Sequence, residues 1–470
     1  MVWIHPGGYG MGQGNADLSA IISDQNDSFI GVVIQYRLGA FGFLSSEEVE
    51  RNGVVNAGLL DQHFALQWIQ RYIRLFGGNA SQVTITGESA GGGSVMLQTM
   101  AFGGSLGNSL FRNAIAASPY LPQQYGYKAS VPSQSYHAFA SAVGCVGPPD
   151  LPRNNISGSI FRCLVSKDTM TLQNASATIS GSSRYGTWVF LPVTDGVFVQ
   201  QLPSQQLLKK QVNGNTMLVG NNANEGPLFT PQNITTENDF VHFLQTTFPL
   251  FTYYNISQIL QHYPSTNASV SNTPKFATSG NSTPTAVNES TFGTGQQQRA
   301  DNLYAETTFV CPSYWLADAF TSPTRQAYKY QYSVIGAEHG SDVSSYAGLP
   351  TPNQGPAFNK AFMAIWANLI TRGNPSISAA VANGPNSSVT TSPAHDWPPW
   401  NETSPFQLNL NESGGMPFEA PTLATDFGNI TEFGGEGLRN AFELVDADAW
   451  EGGRGARCDF WRSIGRLVPE

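Results

Sequence analysis

The sequence contains few charged residues and no long apolar run. Only 12% of its 470 residues are charged, the net charge is −10, and its 23 lysines and arginines form no cluster along the chain. Because nucleic acids are bound through clusters of basic side chains, this composition argues against a nucleic acid partner. No stretch of about 18 or more apolar residues occurs, so the sequence predicts no membrane-spanning helix.

Cysteine is also scarce, and no two cysteines have the C-x-x-C spacing of a zinc site, so we expect no metal. The even number of cysteines is compatible with two disulfides or with four buried thiols. N-x-S/T acceptor sites recur from Asn26 to Asn429, which favours an oxidising, secretory compartment. The sequence thus predicts a secreted glycoprotein. Its cysteines are Cys145, Cys163, Cys311 and Cys458.

The chain starts with a strand-like segment instead of a leader. MVWIH, residues 1–5, lacks the basic and apolar regions of a signal peptide. This start conflicts with the indications of secretion. Our interpretation is that the amino-terminal part of the protein, including its leader, lies outside the sequence.

Apolar, β-branched runs, each followed by glycine or a polar turn, alternate with segments of helical spacing. Residues 57–78, for example, carry Leu60, Phe64 and Trp68 at intervals of four, and Gly77 marks the end of the helix. Continuous apolar strands that alternate with helices predict an α/β fold, with a mostly parallel sheet covered by helices on both faces. The predicted strands lie within residues 1–5, 29–38, 82–87, 113–118, 216–221 and 327–335.

The chain shows no internal repeat and no clear linker, so residues 1–470 are predicted to form a single domain. Residues 264–298 are rich in Ser, Thr, Asn and Gly and poor in large apolar residues. Such a stretch buries too little apolar surface to order itself strongly. We therefore expect a low-complexity insertion at the surface there.

The segment GESAGGG, residues 87–93, follows the apolar run VTIT and matches the G-x-S-x-G pattern of a nucleophile elbow. Side chains at Gly87 and Gly91 would collide with the neighbouring strand and helix in this tight turn. Ser89 is then exposed at the carboxyl end of the sheet, and the helix that follows favours negative charge at the site. In a chain with 48 glycines the pattern also arises by chance, but its place between a strand and a helix favours the elbow.

A serine nucleophile needs a base, and the base needs an orienting acid. Of the seven histidines, His339 alone follows a strong predicted strand and precedes a glycine, at the strand ends where parallel sheets bind ligands. By the same rule Glu225, on the loop after residues 216–221, is the predicted acid. Asp195 is the alternative acid, although it precedes its turn instead of following a core strand, and Asp342 is expected to support the histidine loop.

Acyl transfer places negative charge on a carbonyl oxygen, which N–H donors must meet. The glycine-rich segment HPGGYG, residues 5–10, supplies such donors at Gly7 and Gly8, and Ala90 after the nucleophile is expected to supply a third. A plain tight turn is the alternative. A dinucleotide-binding G-x-G-x-x-G motif does not fit, because Gln13 stands where its last glycine belongs.

Together these segments resemble the type-B carboxylesterase/lipase family, the cholinesterase-like branch of the α/β-hydrolases. The similarity covers nearly the whole chain and is carried by VWIHPGGYGMG, VVIQYRLGAFGFL, NAGLLDQHFALQWIQ, FGGNASQVTITGESAGG, NANEG and AEHGSD, with proline in place of the family's first oxyanion glycine. The resemblance implies an α/β-hydrolase fold with Ser89 as nucleophile, His339 as base and Glu225 as acid. The oxyanion donors that it implies are Gly7, Gly8 and Ala90.

The resemblance also implies two disulfides, Cys145–Cys163 and Cys311–Cys458. In one respect the chain departs from the family, whose members carry about a hundred residues, an ordinary domain length, before the oxyanion strand. Those residues include the first strands and part of the active-site rim. We therefore expect a fold that lacks its N-terminal strands and leaves one edge of the sheet unpaired.

The function that these residues predict is hydrolysis of a small-molecule or lipid ester by a secreted serine hydrolase, through an acyl-enzyme and without a cofactor. Two alternatives remain: a non-catalytic binding or adhesion protein on the same fold, and an inactive truncated fragment. The sequence does not indicate the acyl length or the alcohol group. Several large aromatic side chains line either a substrate pocket or the core, namely Tyr9, Tyr120, Trp188 and Phe229.

Overall fold

The structure is a computed structural model that describes most of the chain. Part of the predicted insertion at 264–298 lies outside the described residues, and both the insertion and the single-domain organisation stay predictions. The described residues are 1–146, 159–183, 185–265, 285–287, 289–385, 387–422, 424 and 428–470.

A large sheet forms the centre of the molecule. In chain order, the strands of the described residues are β1 (Val2–Ile4), β2 (Val32–Ile34), β3 (Thr84–Glu88), β4 (Asn113–Ala117), β5 (Thr216–Asn222), β6 (Gln326–Tyr332), β7 (Phe406–Leu410), β8 (Glu412–Ser413), β9 (Met416–Pro421), β10 (Asn429–Gly434), β11 (Arg439–Asn440) and β12 (Glu443–Asp446). Eight of these strands form the sheet, in the order β12-β7-β6-β5-β4-β3-β1-β2, while β9 pairs with β10 and β8 with β11.

The central sheet is mostly parallel, as predicted. Among the described strands of this central sheet, only β12 runs antiparallel to its neighbour, β7. Each of the six predicted runs overlaps one strand of the sheet. Strands β1 and β2 pair over only three residues, from Val2 opposite Val32 to Ile4 opposite Ile34. Because β3, β5 and β6 are parallel, their carboxyl ends lie at the same edge of the sheet.

Helices cover the sheet and connect its strands. In chain order, the α-helices of the described residues are α1 (Ser19–Asp24), α2 (Gly39–Phe43), α3 (Glu47–Asn52), α4 (Ala57–Tyr72), α5 (Ala90–Met100), α6 (Ser130–Ala142), α7 (Ile160–Val165), α8 (Thr169–Gly181), α9 (Pro203–Leu208), α10 (Glu237–Thr247), α11 (Tyr253–His262), α12 (Gly295–Ala305), α13 (Cys311–Ala319), α14 (Val343–Ala347), α15 (Pro356–Arg372), α16 (Ala379–Asn383) and α17 (Trp450–Ser463). In the parts of the chain that the structure describes, no helix has both the length and the apolar composition to cross a membrane.

Apolar cores lie on both faces of the sheet. Successive side chains of a strand point to opposite faces, and β6 follows this rule. Ala327 belongs to the core that contains Trp315 of α13 and Trp461 of α17. Tyr330 belongs to the core on the other face, where its ring packs edge-on against Phe362 of α15 with centroids 5.2 Å apart. Burial on both faces explains why the strands read as continuous apolar runs.

Two disulfides connect segments that are distant along the chain or flank different helices. The Cys145–Cys163 bond links the segment after α6 to α7, and the Cys311–Cys458 bond links α13 to α17. Both pairings are those implied by the family resemblance. The second bond joins residues 147 positions apart, so it connects the part of the chain before β6 to its last helix.

Helix α4 forms where the spacing of Leu60, Phe64 and Trp68 predicts a helix, but that spacing does not mark its buried face. Phe64 is 68% exposed and Trp68 is 43% exposed. The side chains of α4 that enter the core include Leu66 and Ile69, which are almost fully buried. A repeat of four indicates a helix, whereas the neighbouring elements decide which side of it is covered.

We predict that Leu66→Ala and Phe64→Ala differ sharply in their effect on stability. Leu66→Ala removes a fully buried side chain of α4 and should lower the free energy of unfolding by roughly 2–5 kcal/mol. Phe64→Ala should change it by about 0.5 kcal/mol or less, because the ring is largely in water. Urea unfolding followed by circular dichroism measures both values, and equal losses would contradict the orientation of α4.

Candidate active site

Ser89 lies in the sharp turn between β3 and α5, at the carboxyl edge of the sheet. Its backbone has φ 54° and ψ −123°, a strained conformation for a residue with a side chain. Main chain fills the space around the turn. A Cβ atom at Gly91 would lie 2.0 Å from the carbonyl oxygen of Ile4, and one at Gly87 would lie 2.4 Å from the carbonyl carbon of Gly91. The packing of the turn against β1 therefore requires Gly91, and the main chain within the turn requires Gly87.

His339 and Glu225 lie on the loops that follow β6 and β5, and they are in direct contact. Nδ1 of His339 donates a hydrogen bond to Oε2 of Glu225 at 2.5 Å. The Glu225 carboxylate is fully buried. Its second oxygen, Oε1, accepts hydrogen bonds from Oγ of Ser118 at 2.6 Å and from the backbone N–H of Asn222 at 2.5 Å. These donors satisfy the buried carboxylate and fix its position beside the imidazole.

The other ring nitrogen of His339, Nε2, faces the residue before Ser89. It lies 3.3 Å from Oε1 of Glu88, the last residue of β3. Nε2 has no hydrogen-bond partner among the described residues, so the structure does not contain a hydrogen bond between it and Oγ of Ser89. The imidazole and the serine turn are nevertheless neighbours. Catalytic hydrogen bonds often form only when substrate binds.

The glycine-rich loop after β1 lies against the serine turn and contains unpaired N–H donors. Gly7 and Gly8 have φ values of 113° and 59°, in the region that glycine adopts without a steric cost. Within the described residues, the backbone N–H groups of Gly7, Gly8 and Ala90 have no hydrogen-bond acceptor. Ala90 is the first residue of α5, where backbone donors are unpaired by helix geometry. These three groups are the oxyanion donors that the sequence predicts.

The model of the Carboxylesterase family matches residues 1–424, which include the serine turn, the acid loop, the histidine loop and the glycine-rich loop. The chain belongs to the carboxylesterase family. This assignment confirms the resemblance seen in the sequence.

The chain is similar to proteins that are named carboxylesterases and lipases. The chain is 30% identical to the Carboxylesterase patB of Penicillium expansum, over 69% of this chain and 52% of that protein. It is 32% identical to the Secreted triacylglycerol lipase LIP1 of Gibberella zeae, over 57% of this chain and 46% of that protein. Liver carboxylesterase 1 of Mus musculus is 29% identical over 80% of this chain. The chain thus spans about half the length of the first two relatives.

A solved structure supports the fold. The crystal structure of Aspergillus niger EstA superposes with a TM-score of 0.72, covering 100% of this chain and 81% of that one at 23% sequence identity. The predicted α/β-hydrolase architecture, a mostly parallel sheet flanked by helices, is therefore confirmed.

Three buried carboxyl groups surround the imidazole of this carboxylesterase-family site. Burial opposes protonation of His339, but the charges of Glu88 and Glu225 outweigh it and raise the pKa of the imidazole to about 9. Burial raises the pKa of Glu88 to about 8, although His339 acts in the opposite direction. Burial and the nearby Glu225 raise the pKa of Asp342 to about 6. The site therefore favours a positively charged imidazole.

Several residues of this carboxylesterase-family site are missed by reasoning from the sequence. Glu88 contacts His339, whereas the sequence marks it only as a member of the elbow pattern. Ser118, just past β4, and Asn222, the last residue of β5, hold Glu225. Their position after neighbouring parallel strands is a signal that points to the same edge of the sheet. Nothing in the pattern, however, shows which of these side chains turn toward the acid.

The two other acidic residues singled out in the sequence have different surroundings. Asp195, the alternative acid, accepts hydrogen bonds from the side chain of Asn56 at 2.6 Å and from the backbone N–H groups of Val197 and Val199. It thus holds its own turn together. The carboxylate of Asp342 accepts hydrogen bonds from the hydroxyl of Tyr330 at 2.9 Å and from the side-chain amide of Asn222. The backbone N–H of Asp342 donates to Oδ1 of Asn222. These contacts are of the kind expected of a residue that supports the histidine loop.

The aromatic residues named in the sequence divide between core and pocket. Tyr9 is fully buried and packs edge-on against Phe43. Phe229 packs edge-on against His339 with ring centroids 5.1 Å apart. The indole of Trp188 lies on the glycine-rich loop, because a Cβ atom at Gly8 would be 2.0 Å from it. Tyr120 and Trp188 both line a cavity of about 710 Å³.

We predict that Glu88→Gln shifts the pH dependence of ester turnover to lower pH. His339 is the base that the sequence predicts, and a base must be neutral to accept a proton, so activity should rise as His339 loses its proton. The charge of Glu88 helps to raise the pKa of His339. Its removal should therefore move the acidic limb of the kcat/KM profile toward lower pH by about one to two pH units. The profile from pH 5 to 10 is the measurement. The control is Glu419→Gln, at an exposed position of strand β9, which should leave the acidic limb at its parental pH. An acidic limb that stays in place or moves to higher pH in Glu88→Gln would contradict the contact between Glu88 and His339.

Proposed function

We propose that this chain hydrolyses carboxylic esters with Ser89 as nucleophile, His339 as base and Glu225 as orienting acid. The observation that carries the proposal is the 2.5 Å hydrogen bond from His339 to the buried Glu225, with the other imidazole nitrogen directed at the turn that presents Ser89. In α/β-hydrolases, a serine, an acidic residue and a histidine that follow one another in this order along the chain carry out acyl transfer. The names of the relatives, carboxylesterase and lipase, support the same reaction.

In the first half of the reaction, Oγ of Ser89 bonds to the carbonyl carbon of the ester while Nε2 of His339 takes its proton. The carbonyl oxygen becomes negatively charged and accepts hydrogen bonds from the N–H groups of Gly7, Gly8 and Ala90. The bond from the carbonyl carbon to the alcohol oxygen then breaks. His339 returns the proton to the leaving alcohol, and the acyl group remains on Ser89 as an ester.

In the second half, water replaces the alcohol. His339 takes a proton from water as the water oxygen bonds to the acyl carbon, and it gives that proton to Oγ of Ser89 as the acyl-enzyme bond breaks. The products are a carboxylic acid and the free enzyme. In both halves the negative charge of Glu225 stabilises the imidazolium that forms transiently.

We also infer that the protein is secreted. The two disulfides persist in an oxidising compartment, and the N-x-S/T sites are the acceptors that such a compartment glycosylates. Relatives from Gibberella zeae and Botryotinia fuckeliana carry the word secreted in their names.

A fluorophosphonate probe tests the proposed nucleophile. The Oγ atom of an activated serine bonds to phosphorus and displaces fluoride, so mass spectrometry should find the label on the peptide that contains Ser89. Ser89→Ala should abolish labelling and lower kcat for a nitrophenyl ester by roughly four to six orders of magnitude. Ser105→Ala, at an exposed serine outside the site, is the matched control and should behave like the parent.

Two outcomes would contradict the proposal. One is labelling at a different serine in folded protein. The other is ester turnover that persists in Ser89→Ala at the parental rate. Denatured protein should not be labelled, because the activation depends on the folded arrangement of His339 and Glu225.

A further inference from the structure

A buried acid, Glu470, lies in the wall of the cavity beside the candidate site. Its side chain lines the cavity and is 2% exposed, and its Oε2 atom has no hydrogen-bond partner among the described residues. Asp239, another acid of the cavity wall, differs, because its carboxylate accepts hydrogen bonds from the backbone N–H groups of Thr235 and Thr236. A buried polar group without a partner is costly. The Glu470 carboxyl is therefore a place where a polar group of a ligand gains a hydrogen bond.

Hydrogen bonds from three parts of the chain hold Glu470 in this position. Its backbone N–H donates to the carbonyl oxygen of Gly465 at 3.1 Å, and its own carbonyl oxygen accepts a hydrogen bond from Oγ of Ser204. The carbonyl oxygen of Pro469 accepts a hydrogen bond from the backbone N–H of Gln124 at 2.6 Å. The main chain around the acid is thus fixed against the rest of the fold, as a binding group requires.

Two tyrosine hydroxyls of the cavity wall belong to the same surroundings. Tyr120 and Tyr304 both line the cavity. Burial raises the pKa of each hydroxyl, and the charge of the nearby Glu470 adds to the effect. The hydroxyl of Tyr304 donates to the carbonyl oxygen of Gly186 at 2.6 Å, so its proton is used and its oxygen remains an acceptor. The cavity thus combines apolar walls with a few polar groups that lie close together, which is the usual composition of a specific ligand site.

The surroundings of Glu470 favour its neutral form. No lysine or arginine of the described residues lines the cavity, and burial raises the pKa of the Glu470 carboxyl well above its ordinary value. A neutral carboxyl donates one hydrogen bond through its O–H and accepts others. A ligand hydroxyl matches it, because it can accept a hydrogen bond from Glu470 and donate one to the hydroxyl oxygen of Tyr304. An ammonium group would have to bring its charge out of water, and a carboxylate would meet no cation.

The segment after β4 connects this acid to the serine turn. Tyr120 donates its backbone N–H to the carbonyl oxygen of Ser89 at 3.1 Å, while Gln124 bonds to Pro469, next to Glu470. Tyr120 and Gln124 are four residues apart, so their α-carbons are at most about 14 Å apart. An ester with a second polar group several carbon atoms away can therefore contact both Ser89 and Glu470.

We propose that Glu470 is a specificity-determining residue that binds a hydroxyl group of the substrate, so that the enzyme prefers esters with a free hydroxyl several carbon atoms from the ester bond. This inference rests on the proposed ester hydrolysis and names its substrate class as uncharged, hydroxylated esters. The hydroxyl satisfies the buried carboxyl, whereas an ester with hydrogen in its place leaves that carboxyl unpaired. Sites built to bind a hydroxyl reject the analogue that lacks it for this reason.

The test compares kcat/KM for pairs of esters that differ only by a terminal hydroxyl. One series carries the hydroxyl in the acyl part, as methyl esters of ω-hydroxyalkanoic acids of increasing chain length. The other carries it in the alcohol part, as ω-hydroxyalkyl acetates. Release of acid is titrated at constant pH. Rates are normalised to the fraction of each protein that a fluorophosphonate labels, so that misfolded material does not count.

Three variants show whether the preference depends on the acid. Glu470→Leu removes the polar atoms of the side chain, and Glu470→Gln keeps both a donor and an acceptor. The matched control is Gln134→Leu, which places leucine at an exposed polar position of the same cavity wall. In the parent, the hydroxylated ester of the best chain length should exceed its partner about tenfold in kcat/KM. This preference should disappear in Glu470→Leu and persist in Glu470→Gln and Gln134→Leu.

Several outcomes would overturn the proposal. These are a parent without preference in either series, a preference that Glu470→Leu retains, and an equal loss in Glu470→Leu and Gln134→Leu. Loss of the preference in Glu470→Gln would contradict the neutral, hydrogen-bonding role of the acid. A stronger preference for the matching ω-amino esters would also overturn the proposal, because the acid would then bind a cation.

Binding of an octanediol with a hydroxyl at each end separates this inference from the proposed hydrolysis. Calorimetry measures its Kd without turnover, and Glu470→Leu should raise that Kd about tenfold while Gln134→Leu leaves it unchanged. If the parent hydrolyses no ester but binds the diol through Glu470, the proposed hydrolysis alone has failed. If ester turnover is present and neither the preference nor diol binding depends on Glu470, this inference alone has failed.

Discussion

The hydrogen bond between His339 and Glu225 is the contact on which the site depends. A carboxylate without exposure to water is costly unless donors surround it, and here Ser118, Asn222 and the imidazole fill that role. Each of these partners follows a different strand or stands at the end of one. The order β6-β5-β4 of neighbouring parallel strands therefore makes the contact possible, and a sheet with another order would separate the acid from the base.

The serine turn depends on the same sheet through close packing. The main chain of β1 passes so near the turn that Gly91 has no room for a side chain. Ser89, which lies between Gly87 and Gly91, adopts a strained backbone conformation. Strain of this kind persists only where the surroundings fix it. The strand that supports the turn also leads into the loop of Gly7 and Gly8, so one short strand positions both the nucleophile and the unpaired N–H groups.

Charge and apolar surface are separated within the molecule. The buried carboxyl groups of Glu88, Glu225 and Asp342 lie around one imidazole, whose pKa they raise. The adjoining cavity has mainly apolar walls, and no lysine or arginine of the described residues lines it. A reaction that creates positive charge on the imidazole is thus favoured beside an apolar cavity. This arrangement fits the proposed hydrolysis of esters.

The sequence by itself determined the α/β pattern and the places of Ser89, Glu225 and His339 behind their strands, because glycine spacing and apolar runs are local properties of the chain. It also indicated the helix at 57–78. Only the tertiary structure decided that Glu88 faces the imidazole, that Ser118 and Asn222 hold the acid, and that Phe64 lies on the outer side of its helix. These facts depend on which distant elements pack together, and spacing along one segment carries no information about its neighbours in space.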